Sequence, residues 1–300
     1  MQIQISTPPE FSFKRTALSH GWSDLLPFAF DQANWTLTRV FDVGAERPVT
    51  AVISEGKGAL KVILSNELSR AAQTRLKHGV GHIFRLDDDL AEFYALTATD
   101  ANLSWVASAG AGRLLRGPDV FEDLVKTICT TNCSWGATKK MVAGLVTLGA
   151  ESDDGRRAFP TPAAIAAQPE AFYREVVRAG YRAPYFPELA QRILAGELDV
   201  ESWLNSALST NKLKRAMKQV KGVGDYAAEN LLKLVGRYDG LTLDSWVRPQ
   251  FYNLRHNGQP CDDKQIAAHY ERYGTWRGLA LWCDVTRKWL EDSPPNSDKP

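Results

Sequence analysis

Lys218-Gln219-Val220-Lys221-Gly222-Val223-Gly224-Asp225-Tyr226-Ala227-Ala228-Glu229-Asn230, with Asp244 fourteen residues further on, is the stretch that decides the fold. It reads as the end of one helix, a tight glycine hairpin and the start of a second helix. Gly222 and Gly224 allow backbone conformations that a side chain restricts, and they leave no Cβ between the main chain and a close-lying ligand. Asp225 is placed to be the N-cap of the second helix, whose unpaired N–H groups and positive dipole end attract an anion such as a phosphate. Lys212, Lys214, Arg215, Lys218 and Lys221 form a run with no acidic residue among them, although the formal net charge of the whole chain is only +1. A positive patch concentrated at the hairpin matches contacts to a DNA backbone, which position a protein without reading sequence. Taken alone, a glycine turn after a basic helix face is also what an ordinary solvated surface looks like.

The chain of 300 residues, 44% of them hydrophobic, is long enough to bury a substantial core. Met1 to Glu10 has neither the basic nor the apolar region of an export signal, and no run approaches the roughly 20 apolar residues of a membrane span. These features lead us to expect a cytoplasmic protein that is not associated with a membrane; a monomer associated with the nucleoid through DNA is the accompanying expectation. The four cysteines, Cys129, Cys133, Cys261 and Cys283, are too few and too scattered for a disulfide framework and are expected as free thiols. A zinc site on Cys129, Cys133 and a histidine has helical i,i+4 spacing, but buried structural cysteine fits the pattern better.

The pattern over residues 1–113 is β-rich. Trp35 to Phe41 alternates, Val49 to Ser54 and Leu60 to Leu64 are short apolar runs, and Gly56 to Gly58 marks a turn. Ser69 to His78 is helical in pattern, and Asp87-Asp88-Asp89 is placed to begin a helix through Ala91 to Leu96. After Pro118 the periodicity becomes helical. Helices are expected over Phe121 to Cys129, Trp135 to Leu148, Pro162 to Ala167, Pro169 to Arg178, Phe186 to Ala195 and Glu201 to Leu208. Five more are expected over Lys212 to Lys218, Asp225 to Val235, Ser245 to Arg255, Asp263 to Tyr273 and Trp276 to Leu290. The expected organisation is α+β, with a small antiparallel sheet domain (1–113), helical domains (114–292) and a polar tail (293–300) without fixed structure.

The hairpin with its following Leu243-Asp244-Ser245-Trp246 resembles the helix-hairpin-helix DNA glycosylase superfamily, whose members excise damaged bases. Phe159-Pro160-Thr161-Pro162 and Trp276-Arg277-Gly278-Leu279-Ala280 resemble the alkylation branch, and Ile128-Cys129-Thr130-Thr131-Asn132 and Gly180-Tyr181-Arg182-Ala183 resemble the 8-oxoguanine branch. The matching segments run in order from about residue 118 to 290, while the first hundred residues match weakly. The resemblance implies a helical glycosylase core behind a small antiparallel sheet. The endonuclease III branch carries four closely spaced C-terminal cysteines for an iron-sulfur cluster, a set missing here, so no cluster is expected.

The same resemblance implies roles for particular residues. Asp244 would be the carboxylate that stabilises positive charge on the deoxyribose as the base leaves. Bifunctional members place a nucleophilic lysine two residues after the second hairpin glycine; Tyr226 stands there, and a phenol cannot form an imine, so water is expected as the nucleophile. Lys221 and Lys233 are poor substitutes by position, one in the hairpin facing phosphate and the other two helical turns away. Tyr226, Asn230 and Trp282 would line the base pocket, with His20-Gly21-Trp22 closing it. Asn132, Tyr181 and Arg182 would fill and read the gap left by a flipped base in duplex DNA, while Lys218, Lys221, Gly222 and Gly224 hold its backbone. Carbonyls of Lys218, Val220 and Val223 would hold a structural Na⁺ or K⁺. The expected substrate is an alkylated purine of the 3-methyladenine type; the alternatives are 8-oxoguanine and a non-catalytic helix-hairpin-helix module that only holds DNA.

Overall fold

The computed structural model describes residues 1–290; the tail expected over 293–300 lies outside them. Five strands, β1 (Gln2–Ser6), β2 (Phe28–Asp31), β3 (Thr36–Phe41), β4 (Val49–Gly56) and β5 (Ala59–Leu64), form one antiparallel sheet in the order β1-β5-β4-β3-β2. Strand alternation sends Leu37, Phe41, Ala51, Ile53, Val62 and Leu64 to one buried face, in a register that sets Leu37 opposite Ile53 and Ile53 opposite Val62. Arg39 points to this same apolar face. It is compensated by Glu122, which accepts from Arg39 Nη1 at 2.9 Å and from Lys126 Nζ at 2.6 Å, all three side chains being buried.

Helices α1 (Phe13–Ala17), α2 (Arg70–Ile83), α3 (Ala91–Ala98), α4 (Trp105–Ser108), α5 (Val120–Thr130), α6 (Trp135–Val146) and α7 (Pro162–Ala166) are followed by α8 (Glu170–Glu175) and α9 (Tyr185–Leu194). Then come α10 (Thr210–Met217), α11 (Asp225–Leu234), α12 (Val247–Arg255), α13 (Asp263–Tyr270) and α14 (Arg277–Thr286). Side-chain caps set several starts: Asp119 accepts from the Glu122 N–H, Ser134 from Ala137, and Thr161 from Ala164 ahead of Pro162. Asp89 accepts the Ala91 N–H at 2.9 Å and so opens α3 as the carboxylate run suggests. The segment expected as a helix over Glu201 to Leu208 keeps only a 3₁₀ turn, Glu201–Trp203, because Arg237 takes the Ser206 carbonyl.

The apolar interior divides into two clusters. One joins the sheet and α2 to helices α5 through α11; the other joins α3 and α4 to α12, α13 and α14. The chain makes its last crossing from the first to the second between Val235 and Tyr238. The segment carrying Asp244 follows at once, so α11 and the Asp244 segment face each other across the seam. No helix among the described residues is long and apolar enough to cross a membrane.

Candidate functional site

A cavity of about 1120 Å³ opens at this seam, walled by α11, the Asp244 segment, α14 and the His20-Gly21-Trp22 turn. It is roomy for a small-molecule site.

The hairpin forms one lip. Gly222 has φ +89°, a left-handed conformation, and a Cβ there would stand 2.8 Å from the Tyr185 ring, so both backbone and packing demand glycine. Gly224 has an extended backbone and open space on its Cβ side, which lets a ligand come close. Gly224, not Asp225, is the N-cap of α11. Asp225 is the first helical residue, and its carboxylate is taken by Lys214 at 3.1 Å and Lys218 at 2.9 Å. Lys221 reaches back to Glu188 at 2.6 Å, so the basic run is partly neutralised by acids from outside it. Lys212 and Arg215 have no ion-pair partner among the described residues. The Val220 carbonyl accepts the Val223 N–H at 3.1 Å, while the Lys218 and Val223 carbonyls accept no such bond among the described residues. Those free lone pairs fit a monovalent cation; no cluster of acid, histidine and cysteine side chains suited to a metal occurs among the described residues.

Asp244 stands across the cavity. Its Oδ1 accepts the Trp246 and Val247 N–H groups at 2.9 and 2.7 Å, so its own side chain starts α12, two residues later than the expected Ser245. Its Oδ2 has no hydrogen-bond partner among the described residues and is left for a ligand. The approach to it is strained: Thr242, a β-branched residue, has φ +50°, a conformation that costs about 1–3 kcal/mol. Glu229 holds it there, accepting the Thr242 N–H at 2.7 Å while Lys214 anchors Glu229 at 2.7 Å. The basic helix therefore also braces the carboxylate loop.

Tyr226, Asn230 and Trp282 all line the cavity. Burial, and then the nearby Asp244 charge, pushes the Tyr226 phenol above its usual value. Asn230 Nδ2 donates to the Tyr226 carbonyl at 3.0 Å, and Trp282 Nε1 donates to the Ser19 carbonyl at 2.8 Å, tying α14 to the N-terminal segment. Trp246 and Trp289 pack with Trp282, their ring centroids 5.9 and 5.6 Å from its own. Gly21 must lack a side chain because the Trp135 ring would lie 2.4 Å from its Cβ.

On the far lip, Asn132, in a left-handed conformation with φ +45°, donates to the Tyr181 hydroxyl at 3.3 Å, so two distant motifs meet. Arg182 does not join them at the surface. It is 5% exposed, its Nε donates to Thr131 at 3.0 Å and its guanidinium lies 4.4 Å from the Tyr181 ring centroid, so it supports Tyr181 from beneath. Lys233 is the residue the sequence reading set aside and the structure brings in. It is 5% exposed, lines the same cavity, and holds its Nζ 4.8 Å from the Trp282 ring centroid. Burial pulls its pKa down to about 8, against the opposing charges of Asp244 and Glu229. The spacing 226, 230, 233 places all three on one helical face, a signal present in the sequence.

No protein-family model matches the chain. A probable N-glycosylase/DNA lyase of Methanothermobacter thermautotrophicus is 26% identical over 228 residues, covering 67% of this chain and 71% of the relative. Among solved structures, the 3-methyladenine DNA-glycosylase of Archaeoglobus fulgidus superposes with a TM-score of 0.76 at 19% identity, over 97% of this chain and 99% of its own. The apo 8-oxoguanine glycosylase/lyase of Clostridium acetobutylicum superposes with a TM-score of 0.73 at 21% identity, over 95% of each chain. At these identities the shared property is the fold.

Proposed function

We propose that this chain, which belongs to the helix-hairpin-helix DNA glycosylase superfamily, is a DNA N-glycosylase of base excision repair that turns a damaged purine into the cavity and hydrolyses its bond to the sugar. The observation that carries this reading is Asp244: one oxygen is fixed by two backbone N–H groups and the other is left unbonded at a cavity lined by aromatic residues and the glycine hairpin. Bond breaking builds positive charge at C1′, and a carboxylate oriented before the reaction stabilises that charge without reorganising. The hairpin N–H groups and Lys218 and Lys221 would hold the backbone, each lysine exchanging an internal acid for a phosphate. Asn132 and Tyr181 would fill the space left in the duplex. A Na⁺ or K⁺ on the Lys218, Val220 and Val223 carbonyls would stiffen the hairpin.

Water is the proposed nucleophile, because the position from which bifunctional relatives attack holds the Tyr226 phenol. Incubation with lesion-bearing duplex should leave an intact abasic strand, cleaved only after added alkali, and borohydride should trap no protein on DNA. Strand nicking without alkali, or a borohydride-stable adduct, would show an amine at work and end the hydrolytic reading.

A further inference from the structure

The cavity holds a cation that the proposed chemistry has not used. Lys233 comes from the interior of α11, and its neighbours Leu231, Leu232 and Leu234 are buried core residues. Among the described residues its Nζ has no hydrogen-bond or ion-pair partner, and it lies over the Trp282 ring, one of the surfaces on which a flipped base would stack. The Asp244 and Glu229 charges act on it without pairing with it, and a buried ammonium with no hydrogen-bonded partner is unfavourable unless something else supplies acceptors. The position over the indole has a second effect: that aromatic face already carries a cation, so it is not open to a cationic ligand.

We propose that Lys233 is the specificity-determining residue of this pocket and selects neutral, carbonyl-bearing purines, such as 8-oxoguanine or hypoxanthine, over cationic alkylated purines. The inference rests on the glycosylase reading above. A purine alkylated at N7 or N3 is positively charged within DNA and would be pressed against the Lys233 ammonium in a site of low dielectric. An oxopurine instead offers carbonyl oxygens and a ring nitrogen to the unsatisfied N–H groups. It also needs the cation during reaction. When the C1′–N9 bond of a neutral purine breaks, the electron pair stays with the base, which departs with anionic character; water adds to C1′, and the proton that water loses ends on the base. A neighbouring ammonium stabilises that departing charge. An alkylated purine leaves as a neutral molecule and gains nothing from it.

The test compares base release from duplexes carrying 8-oxoguanine, hypoxanthine or 7-methylguanine by the wild-type protein, Lys233→Met and Lys233→Arg. Wild type should prefer at least one oxopurine to 7-methylguanine by at least about a hundredfold in kcat/KM, the scale of one close charge pair at intermediate dielectric. Lys233→Met keeps the length and removes the charge, so the preference should fall at least about tenfold, with oxopurine release reduced and 7-methylguanine release raised or unchanged. Lys233→Arg should restore part of it. An unchanged preference in Lys233→Met, or a wild-type preference for 7-methylguanine, overturns the assignment while leaving the glycosylase reading intact. A borohydride adduct abolished by Lys233→Met overturns it in favour of a nucleophilic amine. Release of no base from any duplex removes the glycosylase reading and this inference with it.

Discussion

Two lysines are buried among the described residues, and their surroundings are opposite. At the junction of sheet and helix, Lys126 sits 2.6 Å from Glu122 Oε1, with Arg39 on the same carboxylate at 2.9 Å. Burial there opposes ionisation of Glu122, but Arg39 and Lys126 outweigh it and hold the carboxyl below its usual range. In the cavity, the Lys233 Nζ lies over the Trp282 ring and makes no ion pair among the described residues, although the Asp244 and Glu229 charges act on it. A buried charge with its partner built in is a structural joint, whereas one that faces a cavity without a partner is poised for a ligand, kept at the expense of stability.

The sharpest way to break this comparison is to make the joint resemble the cavity. Glu122→Ala leaves Arg39 and Lys126 buried without an anion, and should lower stability by about 3–5 kcal/mol, read as a fall in denaturant midpoint with little change in slope. A smaller loss would mean that water reaches the triad and the joint carries little.

The converse change should have the opposite sign. Folding lowers the Lys233 pKa from 10.5 to about 8, so the folded state resists its proton. The penalty is fully present below pH 8 and is relieved as pH rises from about 8 towards 10.5, where the unfolded chain still binds the proton. Lys233→Met should therefore stabilise the protein by roughly 3 kcal/mol at pH 7, and denaturant midpoints of the two proteins should converge as pH is raised towards about 10. A destabilised Lys233→Met would show that the ammonium is paired after all. The charges acting on Lys233 are the carboxylates of Asp244 and Glu229, which favour its ammonium against the effect of burial.

The basic hairpin lies between these extremes, since Lys218 and Lys221 are exposed and exchange partners easily. Their ion pairs with Asp225 and Glu188 contribute about 0–1 kcal/mol each, so neutralising both lysines should barely move stability. It should weaken binding to all duplexes alike and lower the slope of log K against log salt by about one for each phosphate no longer neutralised. Lesion-selective weakening would place the lysines at the base and not at the backbone.

The same contrast explains what could be read from the sequence. Glycine spacing and the downstream Asp244 are local signals, and they located the hairpin; alternation around Leu37 and the short apolar runs holding Ile53 and Val62 pointed to the sheet. Strands β1 and β2 are additions of the structure: β1 alternates strictly over Gln2-Ile3-Gln4-Ile5-Ser6, a signal present in the sequence, whereas β2 has only four residues. Asp225 was misplaced as a cap because Lys214 and Lys218, on the preceding helix, take its carboxylate. Lys233 sits in a Leu-Leu-Lys-Leu run that reads as a core helix with one side chain extending to solvent. Distant segments, among them Trp282 of α14 and the Asp244 segment, turn that position into a cavity wall. Arg182 shows the reverse: its motif suggests a surface residue, and Thr131 and the Tyr181 ring hold it below the surface.

The central claim is that Asp244 releases a base in this cavity, and it is tested most directly by comparing wild type with Asp244→Asn on one panel of lesion-bearing duplexes. The amide keeps the shape and the cap geometry but removes the charge. Wild type should generate alkali-labile sites at a lesion, and Asp244→Asn should bind the same duplex about as tightly while losing release by about 10³-fold or more. Undiminished release by Asp244→Asn, or no release by wild type from any lesion duplex, would contradict it.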